Sequence, residues 1–167
     1  MRTLTDQLSQ YAAYHRDRRN IATHFVGIPL IVLAIAALLG RPAWPVLSGA
    51  FVLTPAWLLF ALATLYYLWL DVPLGIGMGI VSAASAAFGQ WAASQVTSTW
   101  LGIGIGLFVI GWVFQFIGHV RYEHRKPAFV DDIIGLLIGP LFILVELLFG
   151  LGLMRDLRDA IQARAAR

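Results

Sequence analysis

Residues 55–93, PAWLLFALATLYYLWLDVPLGIGMGIVSAASAAFGQWAA, contain a single charged residue, Asp71. The apolar tract around them is longer still, because Asp71 is also the only charge between Pro42 and Val120. A membrane-spanning helix needs about 20 predominantly apolar residues, so this tract is long enough for several. Charges at both ends of such a tract are typical of a polytopic helical membrane protein.

The composition of the whole chain agrees with this interpretation. Of 167 residues, 59% are hydrophobic and 13% are charged, and the mean hydropathy is +0.77. Soluble domains carry about 25% charged residues and cannot bury this much apolar surface. The composition therefore excludes a soluble globular protein, a disordered chain and a nucleic-acid binder. Cysteine is absent, which excludes disulfides, thiolate metal sites and a cysteine nucleophile.

We predict an all-α, polytopic membrane bundle with about four spans and a fifth C-terminal segment that either spans or re-enters. The five apolar segments are residues 21–40, 45–70, 72–93, 101–118 and 133–153. Pro55 is expected to tilt or kink the second segment, and Gly139-Pro140 to break the fifth into a re-entrant hairpin.

The bundle is expected to form one domain over residues 1–167. Its predicted parts are an amphipathic N-terminal segment (1–20), a helical membrane bundle (21–153) and a charged C-terminal tail (154–167). Whether further copies of the chain associate with it is left open by the sequence.

Basic residues cluster near the N-terminus, in residues 121–132 and in the tail. Because basic loops stay on the cytoplasmic side, we predict that the first two clusters are cytoplasmic, with four spans between them. The same rule favours a cytoplasmic C-terminus. The protein is expected in a bacterial-type inner membrane, or in the endoplasmic reticulum of a eukaryote.

Four histidines lie at predicted span ends, and an even number of spans would bring all of them to one membrane face. They are His15, His24, His119 and His124. On a helix, His119 and Glu123 share a face, whereas His124 is turned about 140° away. His15 and His24 converge only if the chain bends between them, with Asn20 as the N-cap of the first span. A histidine and carboxylate set suits Zn(II), Mn(II) or Fe(II), although solvated interfacial histidines remain the alternative.

Several acidic residues have structural and functional interpretations. Asp71 is expected to cap the third span, with Pro73 in the first turn. Glu146 lies within an apolar helix, where it is either a relay group or a structural residue facing a polar cavity. Asp131 and Asp132 precede the fifth segment, where acidic residues suit a helix N-terminus.

Three motifs together resemble a known family. They are YHRDRRN (14–20) followed by THFVGIP (23–29), then GWVFQFIGH (111–119), and EHRKPAFVD (123–131). In order and spacing, the whole chain resembles the small membrane Fe(II)-dependent 2-hydroxy fatty acid dioxygenases, first recognised in fungal phytosphingosine breakdown. Arg18 stands where that family usually has proline.

The resemblance implies α-oxidation, in which a long-chain 2-hydroxy fatty acid and O₂ give an acid one carbon shorter at Fe(II). The implied metal ligands are His15, His24, His119 and Glu123, while His124 is not an essential ligand. Glu123 and Asp131 are the predicted catalytic residues. The predicted partners of the substrate carboxylate are arginines, namely Arg16, Arg19, Arg121 and Arg125.

Two other classes were weighed against this expectation. Membrane di-iron hydroxylases contain clusters of adjacent histidines, and no two histidines are adjacent here. A non-enzymatic transporter or interaction protein would use Asp71 and Glu146 as its polar groups. The dioxygenase is preferred, with the lipid bilayer as its environment and the metal site near the cytoplasmic face.

Overall fold

The computed structural model describes residues 3–124 and 134–165, and almost all of its regular structure is helical. The helices are α1 (Leu4–Tyr14), α2 (Arg18–Leu38), α3 (Pro55–Leu70), α4 (Val72–Ala93), α5 (Thr97–Phe116), α6 (Gly135–Gly150) and α7 (Arg155–Ala165). A π-helical segment, Ile117–Glu123, continues α5, and a hairpin of β1 (Trp44–Val46) and β2 (Phe51–Leu53) precedes α3. The predicted all-α membrane bundle is confirmed.

Length and composition identify the helices that can cross a membrane. Within the described residues, three are long and apolar enough: α2, α4, and α5 with its π-helical continuation. Helices α6 and α7 pass the same test as a pair, although they are bent by 120° relative to each other. Helix α3 has 16 residues, about 24 Å, which is shorter than the hydrocarbon core of about 30 Å.

The chain divides into two compact units. The first contains residues 1–28 and 113–167. In this unit α1 packs against α6 and α7, with Leu8, Leu141 and Val145 almost fully buried. Helix α1 begins at a capping box, in which Thr3 and Asp6 each satisfy the backbone amide of the other. The Thr3 hydrogen bonds lower the pKa of Asp6.

The second unit contains residues 29–112, and within it α3 packs along α4. Gly75 permits this close approach, because a Cβ there would lie 2.5 Å from the Leu68 Cα atom. Arg41 closes the C-terminal end of α4. Its guanidinium donates to the Ala93 and Gln95 carbonyls and lies 4.4 Å from the centre of the Trp100 ring.

The prediction of one continuous segment over residues 45–70 is wrong. Residues 47–49 have left-handed backbone angles, including φ +89° at Gly49, and they reverse the chain into the antiparallel hairpin. Pro55 is the first residue of α3 rather than a kink within a span, and Thr54 caps the helix by accepting from the Trp57 amide. Proline is favoured at that position because its missing N–H is not needed there.

The predicted break at Gly139-Pro140 is also wrong, because α6 runs through Pro140 as far as Gly150. The chain turns instead between α6 and α7. Gly152 and Met154 both adopt positive φ in this turn, at 77° and 53°. A glycine in this conformation just after a helix is a common C-terminal stop signal.

One of the two predicted N-caps is confirmed. Asp71 accepts a hydrogen bond from the Leu74 amide at 2.9 Å, with Pro73 in the first turn of α4. Asn20 is not a cap, because α2 begins two residues earlier. There the Asp17 carboxylate accepts from the Arg19 amide at 2.8 Å and also pairs with its guanidinium. These Arg19 hydrogen bonds lower the pKa of Asp17.

Candidate metal centre

Three imidazole rings meet in the interior of the first unit. His15, His24 and His119 are each at most 3% exposed. The Nε2 atoms of His15 and His24 are 3.0 Å apart, and those of His24 and His119 are 3.2 Å apart. Each ring offers one ligand nitrogen, and these three atoms all lie within 4.8 Å of one another.

Hydrogen bonds to backbone carbonyls fix the tautomers of two of these rings. His15 Nδ1 donates to the Tyr11 carbonyl at 2.7 Å, and His24 Nδ1 donates to the Asn20 carbonyl at 2.9 Å. Because a carbonyl only accepts, Nδ1 carries the proton and Nε2 presents a lone pair. Burial lowers the pKa of His15 to about 4, which keeps this ring neutral at pH 7.

The donor set fits a divalent metal ion. Two lone pairs facing each other at 3.0 Å repel unless a cation lies between them. Nitrogen ligands about 2.1 Å from one ion, at angles of about 90–100°, lie about 3.0–3.2 Å apart. Metal-binding histidines almost always donate their second N–H to a carbonyl or carboxylate, as His15 and His24 do. Neutral imidazoles without sulfur suit Zn(II), Mn(II) or Fe(II).

The site is built where α1 turns into α2. His15 directly follows α1, and its amide donates back to the Ala12 carbonyl, which ends the helix. The Tyr11 ring stacks on His15, with the ring centres 4.1 Å apart and the planes 11° apart. Phe142 of α6 contacts both rings, so that His15 has aromatic support from two helices.

Gly118 lets the third histidine approach the other two. A Cβ on Gly118 would lie 2.3 Å from both Asn20 Oδ1 and Thr23 Oγ1, where no side chain fits. The π-helical segment carrying Gly118 and His119 therefore packs directly on the first turns of α2. This contact brings His119 next to His24.

Glu123, a predicted ligand, accepts hydrogen bonds at the bend between α1 and α2. Its Oε1 atom accepts hydrogen bonds from the backbone amides of Arg16 at 2.6 Å and Asp17 at 2.8 Å. The Asn20 side chain donates to the same oxygen at 3.1 Å. Among the described residues, the group whose ligand atoms lie within 4.8 Å of one another contains only the three histidines.

The other predicted site residues lie around this cluster or outside the described chain. Arg16, Arg19, Arg121 and His124 are exposed. Arg19 also pairs with Asp17, and its guanidinium lies 4.7 Å from the centre of the Tyr122 ring. Arg125 and Asp131 lie outside the described residues. Asp71 has its capping role, and Glu146 lies half-buried on α6.

Sequence reasoning did not identify Tyr11 and Asn20 as the residues whose carbonyls accept from His15 and His24. A signal was nevertheless present, because each residue stands four positions before a histidine. On a helix, a residue reaches the carbonyl four positions earlier. The contribution of Phe142 left no comparable signal, because it depends on the packing of α6 against α1.

A protein-family model described as 2-hydroxy-palmitic acid dioxygenase Mpo1-like matches residues 1–151. The chain belongs to this family. The Mpo1-like chain is also 31% identical over 161 residues to the 2-hydroxy-palmitic acid dioxygenase MPO1 of Saccharomyces cerevisiae, covering 95% of this chain and 87% of the yeast protein. No solved structure matches it.

The matched region of this Mpo1-like protein includes all three clustered histidines and Glu123. It stops at Leu151, in the turn after α6, so α7 lies beyond it. The family assignment thus covers the elements that build the candidate metal centre.

Proposed function

We propose that the protein is an Fe(II)-dependent dioxygenase that converts a long-chain 2-hydroxy fatty acid into an acid one carbon shorter. The observation that carries this proposal is the buried group of three Nε2 atoms, two of which are fixed as lone-pair donors. Family membership supports the substrate class, because the yeast relative is named for 2-hydroxy-palmitic acid.

Of the three candidate metals, Zn(II), Mn(II) and Fe(II), iron is the one that this reaction needs. His15, His24 and His119 would hold it, and three neutral imidazoles leave further positions open for ligands. Bound Fe(II) would supply the redox chemistry through which O₂ reacts with a 2-hydroxycarboxylate. The conversion to a shortened acid, CO₂ and water balances with one O₂ and requires no other reductant.

The residues of the chain orient and protect this centre. The carbonyls of Tyr11 and Asn20 hold the Nδ1 protons, so that Nε2 of His15 and His24 faces the cluster. Burial of all three rings excludes water, which protects reactive oxygen chemistry from side reactions. Glu123 holds the bend at residues 16–17 and thereby the position of His15.

The substrate is amphipathic, and the proposed arrangement suits it. The acyl tail would lie among apolar helices, and the 2-hydroxycarboxylate would lie at the histidines near the membrane surface. Exposed arginines beside the bend, Arg16, Arg19 and Arg121, would attract the carboxylate. We place the centre near the cytoplasmic face of a bacterial-type inner membrane, or of the endoplasmic reticulum in a eukaryote, on the basic residues around it.

The test joins metal analysis to oxygen uptake. Protein purified without oxygen and loaded with Fe(II) should consume one O₂ per molecule of 2-hydroxypalmitic acid, with palmitic acid as the unreactive control. Stoichiometric iron without uptake would refute the dioxygenase while keeping the metal site. Absence of both iron binding and uptake would refute the whole proposal and favour a non-enzymatic membrane protein.

A further inference from the structure

Gln115 is a buried amide that the proposed metal centre does not use. The residue is 6% exposed, and its Nε2 atom has no hydrogen-bond partner among the described residues. Leaving an amide donor unsatisfied in an apolar interior is unfavourable, because the group loses its hydrogen bonds to water without gaining a partner. A group retained at such a cost commonly serves a ligand or an ordered water.

Position on the helix links Gln115 to the metal centre. Gln115 lies one turn before His119, and both belong to a buried stripe that includes Gly118, whereas Phe116 and Ile117 between them are exposed. A helical side chain leans over the turn that precedes it. The His119 ring therefore lies toward Gln115.

A second buried polar atom lies on this turn. His119 Nδ1 has no partner within the described part of the chain, in contrast to Nδ1 of His15 and His24. If His119 presents Nε2 to the cluster as its neighbours do, Nδ1 is a donor. Gln115 Nε2 and His119 Nδ1 are thus two donors one turn apart, and the described residues supply no acceptor for them.

We propose that Gln115 binds the substrate by donating from Nε2 to an oxygen of the 2-hydroxycarboxylate. This inference rests on the proposed function and identifies a residue outside the histidine set. A long-chain 2-hydroxy acid carries acceptor atoms only on its first two carbons, so an amide buried among apolar groups can serve only that end. Gln115 would therefore fix the depth at which the head group stops.

Binding to Zn(II)-loaded protein tests this inference without turnover. Gln115→Leu keeps the approximate volume and removes the amide. We expect its Kd for 2-hydroxypalmitic acid to rise about tenfold to a hundredfold, as for loss of a hydrogen bond to a charged group. Bound zinc should stay stoichiometric, and the Tm should stay unchanged or rise, because a buried unpaired donor has been removed.

Ser9→Ala is the matched control, since it removes another buried polar group without a described partner, a hydroxyl on α1 rather than an amide on α5. Its Kd should equal that of the wild type. An unchanged Kd for Gln115→Leu, with or without a lower Tm, would overturn the inference and leave the dioxygenase intact. Failure of the wild type to bind 2-hydroxypalmitic acid would overturn both.

Discussion

Three residues from separate segments, His15, His24 and His119, share one small volume, and each supplies one nitrogen. Replacing any one with alanine leaves two ligands, so we expect each single variant to lose its bound metal and nearly all turnover. The rings lie at helix ends, and the variants should still insert and purify. Metal content per protein, measured after gel filtration, checks this.

His124→Ala is the control for this series. His124 is also a histidine at the end of the π-helical segment, but its side chain is exposed. It should keep its metal. Loss of metal from His124→Ala together with retention in His119→Ala would show that the ligand set is wrong.

Glu123 distinguishes a ligand from a residue that supports the ligands. Its Oε1 atom satisfies two backbone amides and the Asn20 side chain, so Glu123→Ala should release the bend that carries His15. We expect metal affinity to fall about 10–100-fold, which is typical for loss of an outer-shell partner. Glu123→Gln keeps an oxygen acceptor, so its metal affinity should fall less than that of Glu123→Ala. Equal and complete loss of metal binding in both variants would indicate that Glu123 ligates the metal directly. Competition with a chelator measures these affinities.

For individual residues, the sequence predicted which histidines to consider but not how they are held. The motifs around residues 15, 24 and 119 contain the three histidines that lie together in the structure, and His124 lies exposed outside this group. The role of Gly118, in contrast, depends on backbone approach between segments about 100 residues apart. Such approach is invisible to local spacing.

At the scale of elements, the π-helical segment fits against α2 only because residue 118 has no side chain. Gly118→Ala would place a Cβ 2.3 Å from Asn20 Oδ1 and Thr23 Oγ1. Overpacking of this kind costs about 1–3 kcal/mol, and the shift it forces separates His119 from His24. We expect a lower Tm and weaker metal binding, measured by thermal unfolding with and without metal.

Gly102→Ala offers the comparison, since no described atom lies within 4 Å of a Cβ at that position of α5. It should leave metal binding unchanged. Helix propensity alone would raise the Tm of both variants, because alanine is a better helix former than glycine. An equal loss of Tm and metal binding in both variants would therefore mean that the contact with α2 does not explain the result.

Helix α7 packs on α1, the helix that leads into His15. Ile161 is 5% exposed, whereas the ion pair of Arg164 with Asp6 is largely solvent-accessible. Burial predicts about 2–5 kcal/mol of lost stability for Ile161→Ala, while a pair this exposed contributes little. The Tm of Ile161→Ala should therefore fall well below that of Arg164→Ala. The reverse order would show that charge, not packing, attaches α7.

The two errors in element prediction have different physical origins. Residues 45–53 are apolar and form part of the predicted second segment, but left-handed angles at 47–49 reverse the chain. Hydropathy measures the transfer of side chains to lipid and contains no term for backbone reversal. The expected break at Gly139-Pro140 rested on a different argument, since proline lacks the N–H of a helical turn. Helix α6 nevertheless continues through Pro140, and the chain turns only near Gly152.

For the whole molecule, the three histidines constrain the membrane topology. His24 lies near the start of α2 and His119 near the end of the span that begins with α5, and their Nε2 atoms are 3.2 Å apart. These two helix ends therefore lie at one membrane face, and the number of crossings between them is even. Helices α3 and α4 either both cross or neither crosses.

Labelling of single cysteines decides between these two topologies, and the chain offers a clean background because it contains no cysteine. Arg2→Cys and Lys126→Cys are both expected on the cytoplasmic side. In intact cells, neither cysteine should therefore react with an impermeant thiol reagent. Val96→Cys, between α4 and α5, should react from outside. Val72→Cys, at the first residue of α4, should react only after permeabilisation if α3 and α4 both cross, and should react from outside if neither crosses. Reaction of Arg2→Cys but not Lys126→Cys would contradict the even number of crossings, and with it the shared metal centre.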